Sequence, residues 1–391
     1  MAVTETETVS YGSRLGGSFK GMLPGVILFI VAFPLLFWNE GRAVKTARAL
    51  DEGQGAVIEV ESNGTVDPDN EGRLVHMTGR ADTKDVLSDP VFGVSENCIR
   101  LERKVEIYQW VEHSETKEKK NVGGSVTKTT TYTYSLEWCG DAVDSSVFKE
   151  SGHDNPPPGL EFKSERWQTE NVSFGAFRLS ERQIGRIGSS REYVIPPSFT
   201  SLVDRVQIVG NFIYVPEKAT RDNKLNNRNV QSQPRAGDMR ITYRTVTPHE
   251  ISLVAKQRGD SFVPYTSKKG AGYKIDMLRD GVADADEMFE TARSGNAFMT
   301  WILRFVGWLV MFVGIRKILA PIPTLGDVLP FLGSVLSAGT GFIAGVVSIV
   351  LTLVVVAVAW IFYRPVLAVV LLALAGAGVF FLLRKRCSAV K

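Results

Sequence analysis

Four stretches of this chain are apolar over lengths that only a bilayer-spanning helix or the centre of a very large core requires. A helix needs about 20 mainly apolar residues to cross a hydrocarbon core of about 30 Å. Residues 22–38 (MLPGVILFIVAFPLLFW) carry no charge, and residues 297–315 (AFMTWILRFVGWLVMFVGI) carry only Arg304. Residues 341–363 and 365–383 carry none and are separated by Arg364 alone, which predicts a tight helical hairpin. Bulk composition hides this partition, because 44% hydrophobic and 22% charged residues are ordinary values for a globular chain. The first stretch reads as an anchor rather than a cleaved leader: it is too long, and Asn39-Glu40-Gly41-Arg42 follows it in place of a small-residue cleavage site.

Flanking charge predicts the orientation. The last span runs into Arg384-Lys385-Arg386, and cytoplasmic loops carry the excess of Lys and Arg. Counting back places Arg316 and Lys317 on the same side, and the tail 1–21, with Arg14 and Lys20, as well. Arg42, Lys45 and Arg48 go against this assignment, but long domains translocate largely regardless of charge. The expected order is therefore a cytoplasmic tail (1–21), span 1 (22–38), an extracytoplasmic domain (39–296), span 2 (297–315), a cytoplasmic segment (316–340), span 3 (341–363), span 4 (365–383) and a basic cytoplasmic tail (384–391). Residues 319–336 are apolar but broken by Pro321, Pro323, Gly326, Asp327 and Pro330. Breaks free backbone groups that lipid cannot satisfy, so this piece reads as interfacial or re-entrant.

The middle region carries strand signals. Residues 73–79, 97–112 and 130–138 alternate apolar and polar side chains, and 239–265 is a second strand-rich stretch. Between the second and third runs lies a charged segment with Gly123-Gly124 at its centre, which predicts an extended hairpin with a solvated tip. Residues 284–293 read as a short helix leading into span 2. The fold class is thus a multipass α-helical membrane protein of four spans with a large β-rich (α+β) extracytoplasmic domain between the first two.

Candidate chemistry is sparse. A net charge of +3 does not suggest a nucleic-acid binder. The four histidines (His76, His113, His153, His249) form no metal-ligand spacing, and there is no nucleophile elbow or phosphate loop. Ser145 or Ser146 with His153 is the only serine–histidine combination to weigh, and chance explains it equally well. No catalytic residue, cofactor or metal is assigned. Cys98 and Cys139 sit beside the two strands of the hairpin and either form a disulfide at its base or remain free thiols. Cys387 is a palmitoylation candidate, and Asn63 and Asn171 lie in glycosylation acceptor triplets. Arg304 is the most informative residue, because a guanidinium in an apolar span normally faces protein or water or snorkels. Glu40 is its first expected partner and Asp327 the second. Gly341 and Gly345 in span 3, and Gly376 with Ala373 and Ala377 in span 4, offer small surfaces for helix packing. Trp38, Trp301, Trp360 and Tyr363 sit near span ends, as interfacial anchors do.

Several runs together resemble the transmembrane protein 43 (LUMA) family. They include Phe37-Trp38-Asn39-Glu40-Gly41-Arg42, Asp89-Pro90-Val91-Phe92-Gly93-Val94, Glu106-Ile107-Tyr108-Gln109-Trp110, Thr131-Tyr132-Thr133-Tyr134, Gly152-His153-Asp154-Asn155-Pro156, Leu303-Arg304-Phe305-Val306-Gly307-Trp308 and Trp360-Ile361-Phe362-Tyr363-Arg364-Pro365. The similarity covers nearly the whole chain in order. The resemblance implies a multipass protein of the endoplasmic reticulum and inner nuclear membrane in eukaryotes, or of the inner membrane in a bacterium. It further implies self-association and binding of envelope proteins such as emerin and lamins, and supplies no catalytic residues. The expected function is a non-enzymatic, self-associating membrane scaffold whose outer domain binds proteins or membrane components. An accessory subunit of a transport or lipid-handling system is the second reading, and an undetected hydrolase the third.

Overall fold

The computed structural model describes residues 3–62, 65–156, 161–204, 206–217, 229–366 and 369. Among them, three helices are long and apolar enough to cross a bilayer: α1 (Tyr11–Gln54), α3 (Ala285–Leu319) and α5 (Pro330–Tyr363), with the short α2 (Glu181–Ile184) and α4 (Pro321–Gly326) between them. The fourth expected span, 365–383 with Gly376, Ala373 and Ala377, lies almost wholly outside the described residues, as does the tail with Cys387.

Each long helix starts where its sequence allows. The Ser10 hydroxyl accepts from the Ser13 N–H at the head of α1, and the Asp284 carboxylate accepts from the Glu287 N–H at the head of α3, so a free helical donor is satisfied in both. Asp286 and Glu287 occupy the first turn of α3 and Arg316 and Lys317 the last, which suits the helix dipole at both ends. Residues 284–293 are not a separate helix. They are the first turns of α3, continuous with span 2, because nothing between Arg293 and Phe298 breaks the hydrogen-bond ladder. Helix α1 likewise runs on past its apolar segment, about 66 Å in all at 1.5 Å per residue. The two helices pair antiparallel and run on together past their apolar segments as a stalk. Arg293 binds Asp51 at 3.0 Å, and Gln54 donates to Asp286 at 2.5 Å.

The bundle packs through glycines. A methyl group at Gly314 would lie 2.7 Å from the Phe29 nitrogen, and one at Gly25 would lie 2.9 Å from the Gly314 carbonyl oxygen. Backbones approach this closely only where no side chain intervenes. The expected packing pair Gly341 and Gly345 contributes less. Gly341 faces the flexible end of Arg316, and Gly345 has only ordinary contact with Phe312. The tight contact is α1 on α3.

Two large sheets sit on the stalk, with two further two-stranded sheets among the described residues. In the eight-stranded sheet, Arg100–Lys120 is central. Its first part pairs with Met239–Val246, and Ile107 to Lys120 pairs with Val126–Cys139. The seven-stranded sheet centres on Leu74–Asp82 against His249–Arg258. Leu50 of α1, Met288 and Phe289 of α3, Leu74 and Val254 of this sheet, and Ile275 of the two-stranded pair Tyr265–Thr266 with Lys274–Ile275 share one apolar core, which fixes the domain to the stalk.

The hairpin is longer than expected and its tip is docked. Beyond Ile107 it leaves the domain as a ribbon, and Val3–Val9 adds to it as a third strand against Val126–Tyr132. The β-rich region is therefore not wholly an insertion between two spans, since one edge strand precedes α1. Gly123 (φ 88°) and Gly124 (φ 81°) make the turn in the left-handed region, where glycine carries no Cβ penalty. The Gly123 N–H donates to the Val328 carbonyl at 3.0 Å, beside the α4–α5 connection. Thirteen residues of strand reach about 43 Å, enough to pass the full depth of the apolar spans.

This contact sets Gly123, expected on the far side of the bilayer with residues 39–296, against Val328 of the segment 316–340, expected on the cytoplasmic side. Cysteines introduced at Val122 and Ser334 should be labelled by an impermeant maleimide from the same face of sealed vesicles. Labelling from opposite faces would dismiss the docked tip.

Candidate functional site

The groups that most constrain the molecule lie where the apolar spans meet the stalk. Glu40 is fully buried (0% exposed) at the last turn of span 1. The Arg304 guanidinium grips it with two bonds, Nε to Oε1 at 2.6 Å and Nη2 to Oε2 at 2.9 Å. Trp360 Nε1 donates to the same Oε2 at 2.8 Å. The guanidinium also lies 4.8 Å from the Trp301 ring and 5.8 Å from that of Trp360, close enough for cation–π attraction. One carboxylate thus joins α1, α3 and α5. One turn higher, Asn39 donates to the Thr300 carbonyl at 3.1 Å, and Arg42 donates to Asn296 at 3.1 Å and to Thr300 at 3.1 Å.

Asp327 is not part of this cluster. It sits at the opposite end of the bundle, 2% exposed, paired with Arg14 of α1 and at 2.7 Å with Lys120 of the ribbon. Burial opposes its charge, but the bonds from Lys120 and Arg14 outweigh that and hold its carboxyl below the ordinary value. The physical reason it cannot serve Arg304 is length: α3 places residues 304 and 319 about 22 Å apart along its axis.

Cys98 and Cys139 do not form a disulfide. Cys98 is buried in the domain core, whereas Cys139 lies opposite Ile107, nine positions further along the strand. That is roughly 30 Å of extended chain, and a disulfide needs Cα atoms within about 7 Å. Burial pushes the Cys98 thiol up to about 12, so it is inert packing. Ser145 and Ser146 belong to a tight turn, and His153 stacks on Tyr134 at 4.1 Å with its edge to Trp110. Among the described residues no hydrogen bond joins either serine to that histidine, and no group of His, Cys, Asp and Glu has the makings of a metal site. Asn171 donates to Asp85, and Asn63 lies outside the described residues.

Two further clusters escaped the sequence reading. In the segment Asp89–Val94, the buried Asp89 takes bonds from Arg103 at 2.6 Å and Tyr243 at 2.6 Å, with Arg103 lying over Phe92 and Trp167. At the stalk top, Glu52 accepts from the Lys269 and Lys268 N–H groups, Ser267 and Tyr265. Led by the Lys269 bond and opposed by desolvation, these contacts lower its carboxyl to about 2.

The family model for transmembrane protein 43 matches residues 107–365. Rat transmembrane protein 43 is 35% identical over 383 residues, 94% of this chain and 91% of its own length. The chain belongs to the transmembrane protein 43 family. Human transmembrane protein 43 is 34% identical over 373 residues (93% and 89% covered), and the Drosophila melanogaster homolog is 29% identical over 361 residues (90% and 91%). No solved structure matches this chain. Within the transmembrane protein 43 model, the matched segment holds Arg304 and Trp360, while Glu40 lies before it.

Removing one partner of a buried charge pair strands the other. Arg304→Leu should therefore cost about 3–5 kcal/mol, read as a lowered melting temperature in detergent. Glu40→Gln combined with Arg304→Leu should cost less than Arg304→Leu alone, and equal losses would remove the clamp from the account. The folded pKa of Glu52 lies below its ordinary 4.5, so its contribution is present above that value and lost as pH falls through about 2. Hydrogen exchange at the Lys268 and Lys269 amides should stay slow at pH 4 and accelerate only near pH 2.

Proposed function

We propose that this protein is a non-enzymatic, self-associating membrane scaffold, with its sheet domain carried outside the cytoplasm on the α1–α3 stalk. The ribbon is the observation that carries the reading. Its ends are tied to opposite ends of an apolar bundle, so it passes the depth of the bilayer. Yet His113–Lys120 is exposed throughout and includes Glu115, Lys117, Glu118, Lys119 and Lys120. Beyond the Met239–Val246 pairing, the outer edge of this strand has no neighbouring strand among the described residues. Lipid cannot satisfy an open sheet edge, at several kcal/mol per group, and a charge at mid-bilayer costs about 2.5–3.5 kcal/mol on insertion scales. Neighbouring copies that turn their ribbons toward one another supply the polar surroundings that a single copy lacks.

The clamp and stalk support the same role. They hold the domain at a fixed angle to the membrane, which suits an organiser that presents a surface to envelope proteins. Its proposed setting is the endoplasmic reticulum and inner nuclear membrane, with envelope proteins as partners.

Light scattering of the full chain in mild detergent and in lipid nanodiscs tests it. The expected result is a discrete multimer that a hairpin shortened between residues 112 and 134 reduces to single copies, with the domain still folded. A single-copy mass in both media would overturn the scaffold reading.

A further inference from the structure

Three cations follow the first span on the side where the orientation rule disfavours them. Arg48 is accounted for, because its Nη2 donates to the Tyr363 carbonyl at 3.1 Å at the end of α5. Among the described residues Arg42 is held only by neutral acceptors, Asn39, Asn296 and Thr300, and its buried Nε has no partner. Lys45 is exposed and joins no ion pair among the described residues. The two uncompensated charges share one cavity of about 610 Å³, whose walls include Trp38, Arg42, Lys45, Tyr273, Met299 and Tyr363.

The cavity is amphipathic along the membrane normal. Trp38, Met299 and Tyr363 belong to the ends of the apolar spans, and Trp38 is 56% exposed. Arg42 and Lys45 stand one and two turns above Trp38 on the same helix, and the Gly270–Tyr273 turn closes the upper side. Gly41 is required here: a methyl group on it would lie 2.8 Å from the Tyr363 hydroxyl oxygen, in the wall of the cavity. Apolar below and cationic above, this wall suits an amphiphile with an anionic head.

We infer that this cavity is a headgroup site for an anionic phospholipid, with the phosphate between Arg42 and Lys45 and the acyl chains running down past Trp38 and Met299. The guanidinium is pre-oriented by the three neutral acceptors, so binding costs little side-chain ordering. The lysine is a mobile point charge that completes the neutralisation. The site stands whether or not the chain self-associates.

Native mass spectrometry of the full chain released from mixed phosphatidylglycerol–phosphatidylcholine nanodiscs tests this. Phosphatidylglycerol should be retained over phosphatidylcholine. Lys45→Gln, an exposed change that leaves the fold intact, should weaken retention about fivefold, and the double change Arg42→Gln with Lys45→Gln roughly thirtyfold. A melting temperature for each variant separates loss of the site from loss of fold. Equal retention of the two lipids, or phosphatidylglycerol held as well by a folded double variant as by the parent, would overturn the site. A third arm adds millimolar inorganic phosphate. Lipid retention that persists supports the headgroup assignment, and full displacement by phosphate alone overturns it in favour of a soluble anion.

Discussion

A carboxylate sealed inside an apolar bundle must have its charge met on the spot, and Glu40 imposes that condition on three helices at once. Its two oxygens are occupied by Arg304 and Trp360. Shifting any helix by one residue turns it about 100° and would leave a buried ion unpaired, so the pairing fixes register more stringently than apolar contacts can. The glycine contacts agree with this register. Gly314 meets the α1 backbone at Phe29, and a side chain at Gly307 would strike Leu36. With the register fixed, Asn39, Arg42, Thr300 and Asn296 fall into bonding range, and the Asp51–Arg293 pair forms above them.

That chain of contacts makes the stalk a lever. Leu50 and Phe289 pack into the same core as Leu74 and Val254, and Glu52 holds the 265–269 segment to α1. The sheet domain therefore moves with the spans. At the far end, Asp327 binds both Arg14 of α1 and Lys120 of the ribbon. The ribbon thus closes a loop from domain to bundle end and back. Hinging the domain on the stalk would pull Lys120 of the ribbon away from the buried Asp327 carboxylate, which ties domain orientation to the state of the α4–α5 connection.

Sequence alone made the membrane character legible because apolar length needs no partner to be read. Arg304 stood out for the same reason, and Glu40 was a natural counter-charge at the neighbouring span end. Trp360 escaped, because an aromatic residue near a span end reads as an interfacial anchor until its N–H is seen to be used. Trp38 and Trp301, by contrast, are both largely exposed. The hairpin was visible in its alternation and its paired glycines. Its length was not, since residues 113–120 are polar on both faces and carry no period. Register defeated the disulfide idea: Cys98 and Cys139 flank the same hairpin in sequence, but the strand begins pairing with its partner only at Ile107. The docked tip joins positions separated by some 200 residues, which no local pattern encodes.

Arg42 and Lys45 and the ribbon edge express one constraint in two places. Polar groups at a lipid boundary persist only where something meets them, and the three buried carboxylates are met inside the protein: Glu40 by Arg304, Asp327 by Lys120, Asp89 by Arg103 and Tyr243. Two sites at the lipid boundary lack such a partner among the described residues. One is an open strand edge level with the spans, which calls for backbone partners and hence more protein. The other is a pair of cations at the rim of an amphipathic cavity, which calls for an anion with an apolar tail. The kind of deficit names the kind of partner in each case, and both lie in the membrane itself.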